Sequence, residues 1–448
     1  MKTICLVATV ASLLSLGNAL GQFDLDIETT VLPNSLTLLT YVDTTVPTVS
    51  YQTFINAGSR DETKPGASGI AHVFEHMMFR GTEKHPDYDE AVSYMGPQTN
   101  AYTSEDYTCY FVNAKAEFLD QIIEVEYDRV RNLLFTQEAF RRELGPVKEE
   151  RRRGVDDDAG GYIYQELNRL AYRKHTYRHP VIGWEQDLEK NLKYADAADF
   201  RKLFYVPNYT TIVISGNFDR AKTEELVLQY YGDWKPSLPP TSQVRQEPKQ
   251  DKKRRKDFEW KDSHTPARML VAYKAPDLNF DSPDLVALQV LSNILFSKTG
   301  RLVKRLKTDQ SMVEDISGQM DGRKDTGLFL IDASLKPGQE FDSVLAIIES
   351  ELSEITKNGV TEDELARAVN PMKSRFLFRL STPARVGGTI GYYQMTGGDY
   401  RMMFKYYDML GSLKVGDIRA AATAYLQPIN STIVTLSPLP SNQGDTAL

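Results

Sequence analysis

The sequence predicts an α+β protein of two homologous domains, each a largely antiparallel β-sheet with helices packed on one face. Three observations predict this class. Strand-like runs at 36–42, 49–57, 108–113, 210–216, 269–274, 327–334 and 431–436 alternate irregularly with helical stretches, without a βαβα rhythm. The two halves also echo each other. Phe135-Thr136-Gln137-Glu138 … Gly145-Pro146-Val147-Lys148 matches Val360-Thr361-Glu362-Asp363 … Asn370-Pro371-Met372-Lys373 at an offset of 225 residues. Thr211-Ile212-Val213 matches Thr432-Ile433-Val434 at an offset of 221, each after a Pro-containing turn. Finally, a polar stretch rich in Pro, Gln, Lys and Arg divides the chain near its middle. The length of 448 residues, with 41% hydrophobic and 25% charged residues, is ample for two cores.

The elements follow in order along the chain. Residues 1–21 have the form of a secretory signal: Lys2, an apolar run over 4–16, and small residues over 17–21 for cleavage after Ala19 or Gly21. A periplasmic or secreted location is expected. The first domain is predicted over 22–236, a linker over 237–260 and the second domain over 261–448. Lys252-Lys253-Arg254-Arg255-Lys256 then belongs to a solvated linker. Amphipathic helices are expected at 119–134 and 341–357, each just before one of the matching segments.

The composition excludes some functions. A formal net charge of −8 argues against nucleic acid as a partner. No run beyond the signal is long enough for a membrane span. Of two cysteines, Cys5 lies in the signal, so Cys109 is left with no internal disulfide partner. Its strand-like surroundings predict a buried, inert thiol.

His72-Val73-Phe74-Glu75-His76 carries the chemistry. It lies in a run with helical apolar spacing, from Gly69 to Phe79. Residues four apart share a helix face, so His72 and His76 can reach one Zn²⁺ at about 2.0–2.1 Å. Glu75 falls on nearly the same face, placed to act on a water. This H-x-x-E-H order is a metallopeptidase pattern. Two of only six histidines stand in it. Two imidazoles and a carboxylate on an apolar helix are costly to bury uncompensated.

A third protein ligand is required. The predicted helix 137–153 offers Glu143, Glu149 and Glu150. Glu143 and Glu150 share a face two turns apart, and Glu149 points about 100° away. The spacing leaves Glu149 and Glu150 as alternatives. In one arrangement Glu150 binds zinc while Glu143 orients a histidine or fixes the helix.

Together these motifs resemble the pitrilysin/insulinase family of inverzincin metallopeptidases, from about Asp26 to Pro438. The family pattern is His72-x-x-Glu75-His76 followed by a distant pair of glutamates seven apart, here Glu143 and Glu150, at a slightly short interval. Asn100-Ala101-Tyr102-Thr103-Ser104, His179-Pro180-Val181-Ile182-Gly183 and Pro207-Asn208 extend the resemblance. It implies a mitochondrial-processing-peptidase-like fold. It also implies one Zn²⁺ per chain held by His72, His76 and Glu150, with Glu143 behind them and Glu75 as general base. Asn100 and Ala101 would then lie on an edge strand to which a peptide substrate adds by main-chain pairing.

The second half departs from the pattern. At the offset of 225, Arg375 stands against Glu150, and 297–301 stand against the histidines. It therefore carries no metal motif. Catalytic members of the family pair an Arg with a Tyr seven residues on to bind the substrate carbonyl. Lys307 and Glu314 occupy those places here, with Arg305 nearby. The expected function is a zinc metalloendopeptidase acting on peptides. A second family subunit would supply the Arg and Tyr, forming a heterodimer. A homodimer is the lesser alternative, because it brings no such pair. The competing function is a non-catalytic scaffold or peptide-binding subunit.

Overall fold

The computed structural model describes residues 24–240, 243–320 and 322–439. The predicted signal over 1–21 lies outside the described residues.

The first half contains β1 (Ile27–Val31), β2 (Thr37–Val42), β3 (Thr48–Ile55), α1 (Ile70–Met77), α2 (Tyr88–Ser93), β4 (Gln98–Thr103), β5 (Thr108–Lys115) and α3 (Leu119–Asn132). It continues through α4 (Gln137–Arg151), α5 (Ala159–Ala171), α6 (Tyr194–Phe204), β6 (Thr210–Gly216) and α7 (Arg220–Tyr231). The second half contains β7 (Arg254–Trp260), β8 (Arg268–Lys274), α8 (Asp284–Phe296), β9 (Val313–Met320), β10 (Leu328–Leu335) and α9 (Phe341–Asn358). It ends with α10 (Glu362–Phe378), α11 (Pro383–Gly397), α12 (Met402–Ser412), α13 (Val415–Tyr425) and β11 (Ser431–Pro438).

The two sheets have one topology. The first runs β1-β2-β6-β3-β5-β4 and the second β7-β11-β8-β10-β9. Apart from β1, each strand has a counterpart. In both sheets a single parallel pair, β2 with β6 and β7 with β11, joins an otherwise antiparallel ladder. The duplication expected from the sequence is therefore a duplication of fold. The α4 and α10 helices share even their details: each has a Thr N-cap, Thr136 and Thr361, and an internal proline, Pro146 and Pro371.

One boundary is corrected. Residues 254–260, assigned above to the linker, form β7 and pair in register from Arg254↔Thr432 to Trp260↔Pro438. This strand lies at a sheet edge and exposes most of its charged side chains, which blunts the edge against unwanted pairing. Its composition therefore reads as linker.

The helix layers are also more extensive than expected. Helices cover one face of each sheet as predicted, but the other face is covered by a helix from the opposite half. The α5 helix packs on β11, β8 and β7, while α11 packs on β3 and β6. Ile163 and Leu167 of α5 join a core with Leu270, Ala272, Val434 and Leu436. On the other side, Gln52 Nε2 donates to Ala384 O at 2.8 Å, and Ser215 Oγ donates to Pro383 O at 2.6 Å. These two helices occupy matching places in the duplication. Each half thus holds the other by exchanging the same element.

Cys109 is fully buried and unpaired, and burial pushes its thiol far above the ordinary range, as an inert thiol requires. Among the described residues, no helix is long and apolar enough to cross a membrane.

The exchange depends on small residues. A Cβ at Gly391 of α11 would lie 2.0 Å from the Phe54 ring. Gly391→Val should therefore lift α11 from the first sheet and lower stability by about 1–3 kcal/mol. Urea denaturation should show an earlier midpoint, and an unchanged midpoint would contradict the packing described.

Candidate metal centre

The α1 helix begins where three backbone constraints meet. Gly69 precedes it at φ +89°, a left-handed conformation that favours glycine. A Cβ there would lie 2.5 Å from Ile182 O, so the His179–Gly183 segment passes directly over the helix start. Glu62 closes the arrangement from below. Its two carboxylate oxygens accept from Gly69 N–H and Ala71 N–H, both at 2.8 Å. Two of the four orphan donors of the helix end are thereby satisfied. Glu62 is buried, and burial pushes its carboxyl well above the usual range. His179 Nδ1 lies 3.6 Å from it.

The inward face of α1 supplies the grip. Phe74 packs on Tyr205, Phe135 and Phe200, with the closest ring centroids 4.2 Å apart. Ile70, Val73 and Met77 complete the buried stripe. The remaining face carries His72, Glu75 and His76.

These side chains converge with α4. His72, His76 and Glu150 offer ligand atoms all within 4.8 Å of one another. Glu150 Oε2 lies 3.4 Å from His76 Nε2 and 3.7 Å from His72 Nε2. Two ligands at about 2.0–2.2 Å from a tetrahedral zinc ion stand about 3.4 Å apart. The donor set, two imidazoles and a carboxylate, is also that of catalytic zinc sites. The residues present therefore fit the ion. Burial lowers the His72 imidazole to about 4, which keeps it in the neutral form that binds metal. The neighbouring His76 and His72 rings hold Glu150 below the ordinary carboxylate value.

The other glutamates separate cleanly. Glu149, left above as an alternative to Glu150, faces Arg152 and Arg153, with oxygens 2.6–2.9 Å from their guanidinium nitrogens. Those bonds lower its carboxyl to about 2. It is turned away from both histidines. Glu143 is nearly buried, ion-paired with Arg80, and lies 3.9 Å from His76 Nδ1. That spacing is an electrostatic contact rather than a hydrogen bond.

Glu75 is held from the sheet. Thr103 Oγ1, at the end of β4, donates to Glu75 Oε2 at 2.7 Å. Burial raises the Glu75 carboxyl, and the Thr103 hydroxyl opposes that shift. Asn100 and Ala101 lie on the same strand, which is the free edge of the first sheet and pairs only with β5. Asn100 Oδ1 accepts from Ala101 N–H at 2.9 Å.

Sequence reasoning passed over four residues here: Glu62, Arg80, Thr103 and Arg151. Arg151 is buried and donates to Gly183 O at 2.7 Å and Gln165 Oε1 at 2.9 Å, fixing α4 beside Glu150. Only Thr103 carried a signal, since it stands in the Asn100–Ser104 stretch already noted.

In the second half, α8 follows β8 as α1 follows β3. The strands repeat at 220 residues, 48 against 268, which sets Ser292 and Phe296 of α8 against His72 and His76. The positions 297–301 chosen from the helix offset fall just beyond α8. Neither register places a metal ligand there.

Fold and site together define a duplicated α+β protein with an inverted H-x-x-E-H cradle in its first half. The Insulinase (Peptidase family M16) family model matches residues 38–184, and the Peptidase M16 inactive domain model matches residues 191–372. The chain belongs to the pitrilysin/insulinase peptidase family M16. It is 28% identical to the zinc protease PqqE of Helicobacter pylori, over 92% of this chain and 93% of that protein. It is 23% identical to core protein I of the mitochondrial ubiquinol-cytochrome-c reductase complex of Euglena gracilis, over 82% of this chain and 78% of that protein. The crystal structure of a protease from Helicobacter pylori superposes with a TM-score of 0.86 at 27% identity, covering 93% of this chain and all of that one.

The Glu62 anchor makes a prediction. Glu62→Ala leaves two buried helix donors without acceptors, which should cost about 1–3 kcal/mol of stability. It should also weaken zinc retention, because both histidines ride on the loosened helix. Thermal melts and metal analysis after dialysis check both; full stability with full zinc content would refute the role given to Glu62.

Proposed function

We propose that this chain is a zinc-dependent endopeptidase that cleaves unstructured peptides, located in the periplasm or outside the cell. The convergence of His72, His76 and Glu150 beside Glu75, at the end of a free strand edge, carries this reading. Bound by those three residues, Zn²⁺ would supply Lewis acidity toward water and the scissile carbonyl. Glu75 takes the proton of the attacking water and delivers it to the leaving amine. Thr103 keeps one Glu75 oxygen fixed and leaves the other to the water. A peptide laid along β4 provides the second neighbour that Asn100 and Ala101 lack, so the main chain is bound largely without regard to sequence.

Substitutions separate the roles. Glu75→Gln should retain zinc and lose about 10²–10⁴-fold in turnover. In zinc affinity, Glu150→Gln should be weakened most, Glu143→Gln by about 10–100-fold and Glu149→Gln least. Competition with a chromophoric chelator measures the ranking. Near-normal hydrolysis by Glu75→Gln, or a ranking led by Glu149, defeats the assignment.

We further propose that a second subunit of the same family completes the site as a heterodimer. Lys307 and Glu314 hold the places of the Arg and Tyr that bind the substrate carbonyl in catalytic relatives. Lys307 is engaged by Asp315 at 2.7 Å, and Arg305 lies 3.3 Å from Glu351. Neither cation is left free to compensate. The isolated chain should be slower than the complete pair by about 10²–10³-fold, the typical cost of a lost oxyanion donor. Assays of the purified chain with and without the candidate partner decide this; full activity in a strictly monomeric preparation removes the second subunit.

The match of 191–372 to an inactive domain, and the likeness to a respiratory core protein, favour a second reading as a non-catalytic scaffold or peptide-binding subunit. The intact ligand set in the first half speaks against it. Protein purified without metal and inert toward a mixed peptide library would support that second reading.

A further inference from the structure

The second half contains a cavity where the first half has its metal cradle. In the first half, α1, β4 and α4 surround the cradle. Their counterparts α8, β9 and α10 wall a cavity of about 270 Å³. The register of α10 is fixed by its Thr cap and internal proline, which set Arg375 against Glu150. The charge at this position is thus inverted between the halves.

The lining has the chemistry of an anion site. Arg375 and Arg379 both border the cavity, and among the described residues no aspartate or glutamate does. Arg375 donates to Asn293 Oδ1 at 2.7 Å, which fixes its guanidinium without neutralising it. Among the described residues, neither arginine is paired with a carboxylate. An aromatic wall stands in the same lining: the Phe280, Tyr393 and Tyr406 ring centroids lie within 6.2 Å of one another. The Gln289 side chain, also in the lining, leaves its Oε1 buried without a hydrogen-bond partner.

This cavity is not isolated. A second one, of about 450 Å³, shares Gln289, Met320, Arg379 and Tyr392 with it. It extends across the two halves to Ser104, Glu105, Asp106 and Tyr107, in the turn that follows Thr103, where Arg323 pairs with Glu105 and the Lys324 N–H donates to Asp106 Oδ2. A chain bound along β4 therefore has a lined path from the end that holds Glu75 to Arg379.

We propose that this cavity is a carboxylate-recognition subsite, in which Arg375 and Arg379 bind a carboxylate of the peptide substrate while the aromatic wall takes the adjoining apolar surface. Guanidinium groups match carboxylates with paired, charge-assisted hydrogen bonds, which suits this role better than a lone ammonium would. The buried Gln289 Oε1 is an acceptor for a peptide N–H. The carboxylate is either the free C-terminus or an Asp or Glu side chain. This inference rests on the peptide-substrate reading above, but its test is binding and does not depend on turnover.

The probes are four short, unstructured, fluorescein-labelled peptides of one parent sequence. They carry a free or an amidated C-terminus, each combined with an internal Glu or Gln. Anisotropy titrations at fixed ionic strength use the full chain and its Arg379→Gln, Arg375→Gln and Arg379→Lys variants. The wild type should bind at least one carboxylate-bearing form about tenfold more tightly than the amidated Gln form. That preference should collapse in Arg379→Gln and Arg375→Gln and partly return in Arg379→Lys. Dependence on the C-terminus assigns the α-carboxylate; dependence on the internal residue assigns a side chain. Equal binding of all four peptides by the wild type overturns the subsite, and this comparison needs no variant to fold. A preference that survives both Arg→Gln variants overturns it as well. Cleavage of the same peptides is followed separately. Carboxylate preference without cleavage, even with the candidate partner subunit added, leaves the subsite standing and removes the peptidase reading, whereas cleavage without preference does the reverse.

Discussion

The seating of α1 is the constraint on which the site depends. This short helix must bury Ile70, Val73, Phe74 and Met77 while presenting two imidazoles and a carboxylate on its other face. Eight residues give too few internal hydrogen bonds for a helix to persist alone. Stability comes from outside: Glu62 accepts from its first amides, and the loop at Gly183 presses on Gly69. Buried polar groups of this kind persist only when paired. The charges around the cradle are accordingly paired, with Arg80 on Glu143 and Arg151 on Asp156 as well as on backbone and amide oxygens. What faces the open centre is left to the histidines, Glu75 and Glu150.

Duplication explains how the rest of the chain supports that centre. Apart from β1, both halves build the same sheet with corresponding helices around it, and each lends one helix to the other's exposed sheet face. A sheet with two apolar faces must cover both. Here the cover is reciprocal, so neither half presents a complete core without its counterpart. The same copying frees one cradle from its original chemistry. With Arg375 in the place of Glu150, the second half cannot bind a cation as the first does, but its cavity, aromatic wall and strand edge remain. The relation between the halves is that of one scaffold carrying opposite charges at equivalent points.

The free edge of β4 links these features. It ends at Thr103, which holds Glu75, and continues into the turn bordering the cavity shared with the second half. That turn is itself clamped across the interface. Lys324, nearly buried, donates to Asp106 O at 3.0 Å, and its N–H donates to Asp106 Oδ2 at 3.0 Å. Strand edge, general-base candidate and interdomain contact therefore form one continuous stretch of chain.

The sequence by itself determined the fold class, the duplication, and the helix that carries His72, Glu75 and His76. It did so because those features are periodic or local. The seven strand-like runs read from it are β2, β3, β5, β6, β8, β10 and β11, all interior strands whose buried faces demand apolar residues. The four strands that composition alone did not reveal, β1, β4, β7 and β9, are the edges of the two sheets. An edge strand is half solvated and carries charge or polarity to avoid mispairing, so it looks like a loop. Only the tertiary structure decided between Glu149 and Glu150 as the neighbour of the histidines, because their directions on one helix differ by about 100° and the choice depends on how α4 is rotated against α1. Only it revealed Glu62, Arg80 and Arg151, whose partners are set by three-dimensional packing and leave no spacing rule behind. The exchange of α5 and α11 was equally hidden, since an amphipathic helix records that it must bury a face but not whose sheet it will cover.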